Sequence, residues 1–324
     1  MIISQTPYRV SFAGGGTDLP AFYRNEPGAV LSVAISRYMY VTVHRRFEPT
    51  FRIAYSRIEL CDKRNAIEHE LVREALGLTG IDEPLEVTTI GDVPSGTGMG
   101  SSSTLTVGLL NAFYAYNGKA VSAANLSRDA CHIEIDLLGK PIGRQDQYAA
   151  AYGGFNYIKF NGDHSVVVEP VPCRTETLDE LQRRILLLYT NRTRSADGIL
   201  RKQSAKTNDK LGVLRTMRDL AGEMREVIAG SGDLDAFALL LHEAWRLKRS
   251  LGCGISNSGV DQWYEAACKA GAQGGKLLGA GGGGFVLLIA PPERHEAIRS
   301  AVGYPTELPF AVERNGSRII FISE

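Results

Sequence analysis

Glycine in this chain is concentrated in three clusters, and their positions constrain the fold more than any other feature of the sequence. Glycine accounts for 35 of the 324 residues, about 11% where about 7% is usual. The clusters lie at residues 14–16, 96–100 and 279–284. Each lies beside a segment with a clear helical or strand pattern, so we expect shaped loops and not flexible linkers.

The segments between the clusters predict an α+β protein with two domains. Strand-forming residues dominate the first half and helical periodicity begins near residue 103, with a further helix over 122–138. Two prolines and several polar residues at 170–180 mark a joint, which gives predicted domains 1–175 and 176–324. In the second domain Asp233 is a typical helix N-cap. The sheet of that domain is predicted from residues 184–190, 276–278, 285–290, 306–312 and 318–322.

Charge and cysteine content point to a small-molecule partner. The 36 Lys and Arg residues balance 36 Asp and Glu, so no net positive charge favours nucleic acid or an anionic membrane. Five cysteines without a CxxC pair indicate reduced thiols, and no apolar run approaches about 18 residues. We expect a cytoplasmic protein, either a monomer or a homodimer.

The third cluster fits a dinucleotide-binding fingerprint letter for letter at Gly279-x-Gly281-x-x-Gly284, but its context is wrong. That fingerprint precedes a helix, whereas residues 285–289 are typical of a strand. The Walker A pattern also fails, because Gly275-Lys276 is followed by leucine. We expect a hairpin turn or a loop that approaches a substrate or phosphate, with candidates Gly281, Gly282 and Gly283.

The middle cluster is the most informative because it joins a strand to a long helix. Glycines let the main chain curl tightly, and serines at the start of a helix place N–H groups and hydroxyls at the positive end of the helix dipole. This pattern predicts a site for nucleotide phosphates; the alternative is a serine N-cap after a flexible turn. The candidate residues are Pro94, Gly96, Gly98, Gly100, Ser101, Ser102 and Ser103.

The first cluster follows a strand that contains Arg9 and precedes Asp18. An arginine within a strand usually faces solvent, and Asp18 could merely cap the segment after Pro20, so this cluster alone does not establish a site.

Together and in this order, the three loops resemble the motifs of the GHMP kinase superfamily. PYRVSFAGGGTD is similar to its first motif, PSGTGMGSSS to its nucleotide-phosphate motif and KLLGAGGGGF to its third. The resemblance implies an N-terminal domain of ribosomal-S5-like topology, a C-terminal ferredoxin-like domain, an active site between them, and the use of ATP with Mg²⁺.

The resemblance also implies roles for individual residues. Glu134 precedes Asp146 by twelve residues, the spacing between a metal-binding glutamate and a catalytic aspartate in galactokinase-like members. Ser101 or Ser102 would touch Mg²⁺ with Glu134, and Arg9 would lie next to Asp146. The alternatives are purely structural: Asp146 could be a helix N-cap, and Glu134 could lie on a solvated helix face. Sugar binding is implied for Gly15, Gly16, Thr17 and Asp18.

The resemblance implies that the substrate is a sugar and that the phosphoryl group is transferred to its anomeric hydroxyl. Gly15 and Gly16 stand where galactokinases carry Glu-His, so galactose is disfavoured, and the glycine triple resembles the subgroup of heptose-phosphate and fucose kinases. D-glycero-D-manno-heptose 7-phosphate is the expected acceptor, giving the 1,7-bisphosphate. The alternatives are a fucokinase-like enzyme, a decarboxylase of a phosphorylated mevalonate derivative, and a non-catalytic sensor of ATP and sugar. Candidates for holding the substrate phosphate are Arg192, Arg194, Lys206 and Lys248, and the alternative is that they are solvated charges on helices.

Overall fold

The computed structural model describes residues 1–193, 197–205, 207–252 and 254–323. Two candidates for the substrate phosphate, Arg194 and Lys206, lie outside the described residues, as does Cys253.

Eleven strands form two sheets in the described part of the chain. The strands are β1 (Ile2–Ala13), β2 (Gly28–Arg45), β3 (Phe51–Ala54), β4 (Ile58–Cys61), β5 (Leu85–Gly91), β6 (Phe155–Phe160), β7 (Val166–Pro170), β8 (Ile185–Tyr189), β9 (Gly274–Leu277), β10 (Phe285–Ile289) and β11 (Arg318–Ile322). The eight-stranded sheet has the order β11-β1-β2-β5-β3-β4, and β2 also pairs with β6, which pairs with β7. The smaller sheet has the order β8-β10-β9.

Eleven α-helices accompany these sheets within the described ranges. They are α1 (Pro20–Tyr23), α2 (Glu70–Thr79), α3 (Ser101–Tyr116), α4 (Ala123–Cys131), α5 (Gln145–Tyr152), α6 (Thr175–Arg184), α7 (Asp197–Ala205), α8 (Leu211–Ala229), α9 (Leu234–Ser250), α10 (Ser258–Lys269) and α11 (His295–Ala301). A π-helical turn, His132–Leu137, continues α4. The predicted cap is confirmed, since the Asp233 carboxylate accepts hydrogen bonds from the N–H groups of Asp235 and Ala236 at 3.0 Å.

The C-terminal segment differs from the expectation for the second sheet. β11 pairs antiparallel with β1, with Ile2 opposite Ile322, so it completes the first sheet and not the second. Residues 306–312 form no strand; they make two isolated bridges, one to each sheet. The sequence of a strand does not reveal which strand it pairs with, because β propensity depends on context. The boundary at residues 175 and 176 stays a prediction.

One apolar core joins the first sheet to the C-terminal helices. Phe12 on β1 packs edge-on against Phe237 on α9, with ring centroids 5.1 Å apart, and both side chains are fully buried. A second core fills the space between the sheet and helices α2 and α3. The shared core fixes the first and third glycine clusters relative to each other, because β1 leads into one and α9 packs beside the other.

Two further features of the described residues concern membrane-spanning helices and the cysteines. Across the described ranges, no helix has both the length and the apolar character that crossing a membrane requires. The four described cysteines, at 61, 131, 173 and 268, are free thiols.

Candidate active site

The middle glycine cluster forms the N-terminal approach to α3. Gly96, Gly98 and Gly100 all have positive φ, at 75°, 87° and 78°, a conformation that glycine adopts without strain. Gly100 is the N-cap of α3, and no described side chain caps this end of the helix. The first N–H groups of α3 therefore remain available to an anion at the positive end of the helix dipole.

The third cluster packs directly on the middle one. A Cβ atom on Gly98 would lie 2.5 Å from the carbonyl oxygen of Leu278, and a Cβ atom on Gly279 would overlap Gly98. The N–H of Phe285 donates to the carbonyl of Thr97 at 3.3 Å. The third cluster is a glycine-rich turn between β9 and β10. Its backbone supports the loop at residues 96–100, which we call the phosphate loop after its predicted role.

Arg9 and Asp146 form a bidentate ion pair beside the phosphate loop. Arg9 Nε and Nη2 donate to the two oxygens of Asp146 at 2.7 Å each, and Arg9 Nη1 donates to the carbonyl of Gly98 at 2.8 Å. A Cβ atom on Gly100 would lie 3.1 Å from Asp146 Oδ2. The carboxylate therefore lies at the start of α3, within reach of a group bound there. Asp146 is in the first turn of α5 and is not its N-cap, which is Arg144.

Glu134 lies on the π-helical turn and is completely buried. The alternative that it lies on a solvated helix face is therefore wrong. Ser102 Oγ donates to Glu134 Oε1 at 2.5 Å and Gln147 Nε2 donates to Oε2 at 2.6 Å. Burial raises the pKa of Glu134 to about 7, although these hydrogen bonds oppose the rise. A buried carboxylate held by neutral donors is a place where a cation would restore the charged form.

The Ser102–Glu134 pair therefore fits a hard cation such as Mg²⁺, which prefers oxygen ligands. Ser101 is the other serine candidate for this role. Its Oγ is buried without a hydrogen-bond partner in the described structure, and the nearby Tyr8 hydroxyl donates instead to the carbonyl of Val93 at 3.3 Å.

Asp18 is buried next to this centre. The N–H of Gly16 donates to Asp18 Oδ1 at 2.8 Å, and Gln145 Nε2 donates to Oδ2 at 3.1 Å. Burial raises the pKa of Asp18, and the negative charge of Asp146 adds to the rise. Gly143 leaves no room for a side chain, since a Cβ atom there would overlap the Asp18 carboxylate. The two aspartates thus belong to one site.

These groups line a single cavity of about 720 Å³, a size typical of small-molecule sites. Its polar lining includes Arg9, Gly15, Gly16, Asp18, Gly96, Gly98, Gly100, Ser101, Ser102, Ser103, Glu134, Gln145, Asp146 and Lys248. Apolar side chains also line the cavity, among them Met39, Leu71 and Leu105. The cavity wall therefore combines charged groups with apolar ones.

Several predicted site residues do not line this cavity: Thr17, Pro94, Arg192, Gly281, Gly282 and Gly283. Thr17 is buried, and its hydroxyl donates to the carbonyl of Gly14 at 2.7 Å, so it shapes the first loop. A Cβ atom on Gly281 would overlap Ile255, and one on Gly283 would lie 3.0 Å from the carbonyl oxygen of Arg192. These glycines permit close backbone packing.

Sequence reasoning missed Gln145, Gln147 and Gly143, which position the acidic groups. The two glutamines flank Asp146 in the chain, so their place beside a candidate catalytic residue was an available signal. The start of α2, with His69 and Glu70 in the cavity wall, follows a loop that carries no motif.

Comparison with known proteins agrees with this geometry. Residues 64–154 match the model of the GHMP kinases N terminal domain, and residues 221–305 match that of the GHMP kinases C terminal domain. The D-glycero-alpha-D-manno-heptose 7-phosphate kinase of Campylobacter jejuni is 32% identical, and the alignment covers 96% of this chain and 97% of that protein. The bifunctional fucokinase/GDP-fucose pyrophosphorylase of Arabidopsis thaliana is 28% identical over 88% of this chain and 29% of its own length.

A solved structure gives the same result for the fold. The crystal structure of a D-glycero-D-manno-heptose 1-phosphate kinase from Bacteroides thetaiotaomicron superposes with a TM-score of 0.83 at 26% identity and covers 100% of both chains. The α+β class and the two-domain architecture implied by the three motifs are confirmed. With the motifs meeting at one cavity and a full-length relative above 30% identity, the chain belongs to the GHMP kinase family of ATP-using phosphotransferases.

Proposed function

We propose that the protein is an ATP-dependent sugar 1-kinase whose acceptor is D-glycero-D-manno-heptose 7-phosphate. The observation that carries this proposal is the position of Asp146, held by Arg9 against the start of α3. A carboxylate at that place can receive the proton of a sugar hydroxyl that attacks a phosphoryl group bound at the helix N-terminus.

The nucleotide would lie with its phosphates on the loop that contains Gly96, Gly98 and Gly100. The N–H groups at the start of α3 donate to the phosphate oxygens, as they do at other helix N-termini that bind phosphate. Apolar side chains of the cavity wall, among them Met39, Leu71 and Leu105, suit the base. Ser102 and Glu134 would hold Mg²⁺, which when bound neutralises negative charge on the phosphates.

Asp146 orients the anomeric hydroxyl and accepts its proton, and Arg9 fixes the carboxylate by two parallel hydrogen bonds. Asp18, held by Gly16 and Gln145, would accept a hydrogen bond from another sugar hydroxyl. Positioning of this kind is the main contribution that a protein makes to phosphoryl transfer.

The identity of the acceptor rests on the relatives and on open space beside Gly15 and Gly16. Both heptose-phosphate kinases named above match along nearly their whole length. Thr193 and Leu200 line the cavity, and Arg192, which precedes Thr193 in the chain, stays a candidate for binding the phosphate of the acceptor. The fucokinase match keeps a free 6-deoxysugar as the second candidate. The intact Arg9–Asp146 and Ser102–Glu134 pairs argue against a non-catalytic sensor.

A coupled ADP-release assay across a panel of sugars tests the proposal. We expect turnover with heptose 7-phosphate to exceed turnover with fucose, galactose and mannose, and to require Mg²⁺. A preference for fucose would mean that the acceptor is a free 6-deoxysugar. Carbon dioxide release from a phosphorylated mevalonate would mean that the protein is a decarboxylase. Binding of ATP and sugar without ADP release would indicate a sensor.

We also propose the cytoplasm as the location, because the reaction consumes ATP and the described cysteines are free thiols. A monomer or a homodimer stays the expectation for the oligomeric state.

A further inference from the structure

Lys248 is a buried cation in the cavity wall that the mechanism above does not use. It lies near the C-terminal end of α9, and only 7% of the residue is exposed. Its Nζ donates to the carbonyl oxygen of Gly279, which orients the ammonium group. A charged side chain is rarely buried without a strong electrostatic reason.

A continuous series of contacts connects Lys248 to the reacting centre. Gly279 packs on Gly98 of the phosphate loop. Arg9 donates to the carbonyl of Gly98, and the same guanidinium holds Asp146. The ammonium of Lys248 is thus anchored beside Gly98, whose carbonyl accepts a hydrogen bond from the guanidinium that holds Asp146. Lys248 therefore lies on the side of the cavity that the phosphate loop forms.

The neighbouring basic side chains, Arg9 and Lys276, donate their hydrogen bonds to other groups. Arg9 uses Nε, Nη1 and Nη2 on Asp146 and Gly98. Lys276 is buried, does not line the cavity, and donates to the carbonyls of Ser11 and Phe12 at 2.7 and 2.9 Å. Burial, and after it the charges of Lys248 and Arg9, hold the pKa of Lys276 well below its usual range. Three basic side chains, those of Arg9, Lys248 and Lys276, therefore lie close together on this side of the phosphate loop.

We propose that Lys248 is a catalytic residue that contacts the transferred phosphoryl group and stabilises the negative charge on its oxygens in the transition state. This inference rests on the proposed function. In the reaction the anomeric oxygen forms a bond to the γ-phosphorus, and the bond from that phosphorus to the bridging oxygen breaks. The hydroxyl proton passes to Asp146, and ADP leaves with the bridging oxygen. Lys248 takes no part in the proton transfer and donates hydrogen bonds throughout.

Replacing Lys248 by methionine tests the inference. The methionine keeps most of the apolar stem and removes the charge, and we expect kcat with heptose 7-phosphate to fall about 100- to 1,000-fold. The KM values for ATP and sugar should change less than about threefold, because the contact strengthens only in the transition state. The matched control is Arg246→Met on the same helix; Arg246 is exposed and pairs with Glu243, and its loss should leave kcat within about twofold.

Two further measurements separate the alternatives. Lys248→Arg retains the charge, and its kcat should be at least about tenfold higher than that of Lys248→Met. The Met variant should lose the same factor in kcat on heptose that lacks the 7-phosphate. A higher KM confined to the phosphorylated sugar would place Lys248 on the acceptor's own phosphate and overturn the inference, as would wild-type kcat in the Met variant.

If the Met variant does not fold, Lys248→Gln and Lys248→Arg decide the matter, and equal kcat values for the two would contradict a role of the charge. If the wild type turns over and the Lys248 variants have the same kcat, this inference alone is overturned. Absence of turnover by the wild type with every sugar would overturn the proposed function and the inference with it.

Discussion

Gly98 and Gly279 meet backbone to backbone, so the phosphate loop of the N-terminal half rests on the glycine-rich turn of the C-terminal half. Both residues have positive φ, 87° and 66°. No side chain fits at either position, because the atoms that it would meet belong to the main chain and cannot rotate away.

We therefore expect Gly279→Ala to destabilise the protein by about 2 kcal/mol or more and to lower activity. Gly118 is a matched control, since its φ is 69° and a Cβ atom there meets nothing within 4 Å. Gly118→Ala carries only the backbone strain, about 1 kcal/mol. Urea unfolding of both variants measures the difference, and equal destabilisation would contradict the contact.

Asp146→Asn should lower kcat about 100- to 10,000-fold, because an amide cannot accept the sugar proton. The fold should survive, since the side chain is partly exposed and similar in shape. Asp62→Asn, at an exposed position, is the control for a lost carboxylate. A loss of only a few-fold in kcat, with an unchanged melting temperature, would be incompatible with a proton-accepting role.

Glu134→Gln should change how stability depends on pH. Burial raises the pKa of Glu134 from 4.5 to about 7, so between these values the folded state holds a proton that the unfolded state has released. The contribution of this group to the free energy of unfolding is therefore fully present below about pH 4.5 and is lost as pH rises to about 7, by about 3 kcal/mol at most.

The measurement is the free energy of unfolding of wild type minus that of Glu134→Gln, without Mg²⁺, across this range. The other carboxyl groups cancel in the difference. A difference that stays flat with pH would refute the raised pKa. Mg²⁺ added above pH 7 should stabilise the wild type more than the variant, because the ion favours the carboxylate.

Gly143→Ala should raise the KM for the sugar about tenfold or more while changing the KM for ATP less than about threefold. The added methyl group would displace the Asp18 carboxylate but lies away from the phosphate loop. Gly212→Ala, where a Cβ atom meets nothing within 4 Å, is the control and should leave both KM values unchanged. An equal rise in both would mean that the whole site had shifted.

Local sequence signals predicted the elements that carry the site, and the family resemblance implied its acidic residues. The serine run predicted the start of α3 to within two residues, and Asp233 caps α9 as its pattern indicates. The pairing of Glu134 with Asp146 came from the resemblance to galactokinase-like members, and both residues line one cavity.

Contacts between distant segments could not be predicted in the same way. Nothing in residues 318–322 indicates that their partner is β1, and nothing near Asp18 indicates that Gly143 and Gln145 enclose it. β4 was also missed, because its pattern spans only four residues, and α2 was missed although it is a ten-residue helix with one buried face. Nor does an arginine-rich string such as 192–194 reveal whether its side chains reach a cavity.

The pairing of β1 with β11 has a consequence for biosynthesis. Residues 2–13 leave the ribosome long before residues 318–322, and during translation the outer edge of β1 exposes unpaired N–H and C=O groups. Vectorial folding can establish α3 and the strands around it, but the sheet gains β11 only when residues 318–322 have emerged. Nascent-chain stalling before residue 318 would therefore leave an edge open to chaperones or to a second nascent copy.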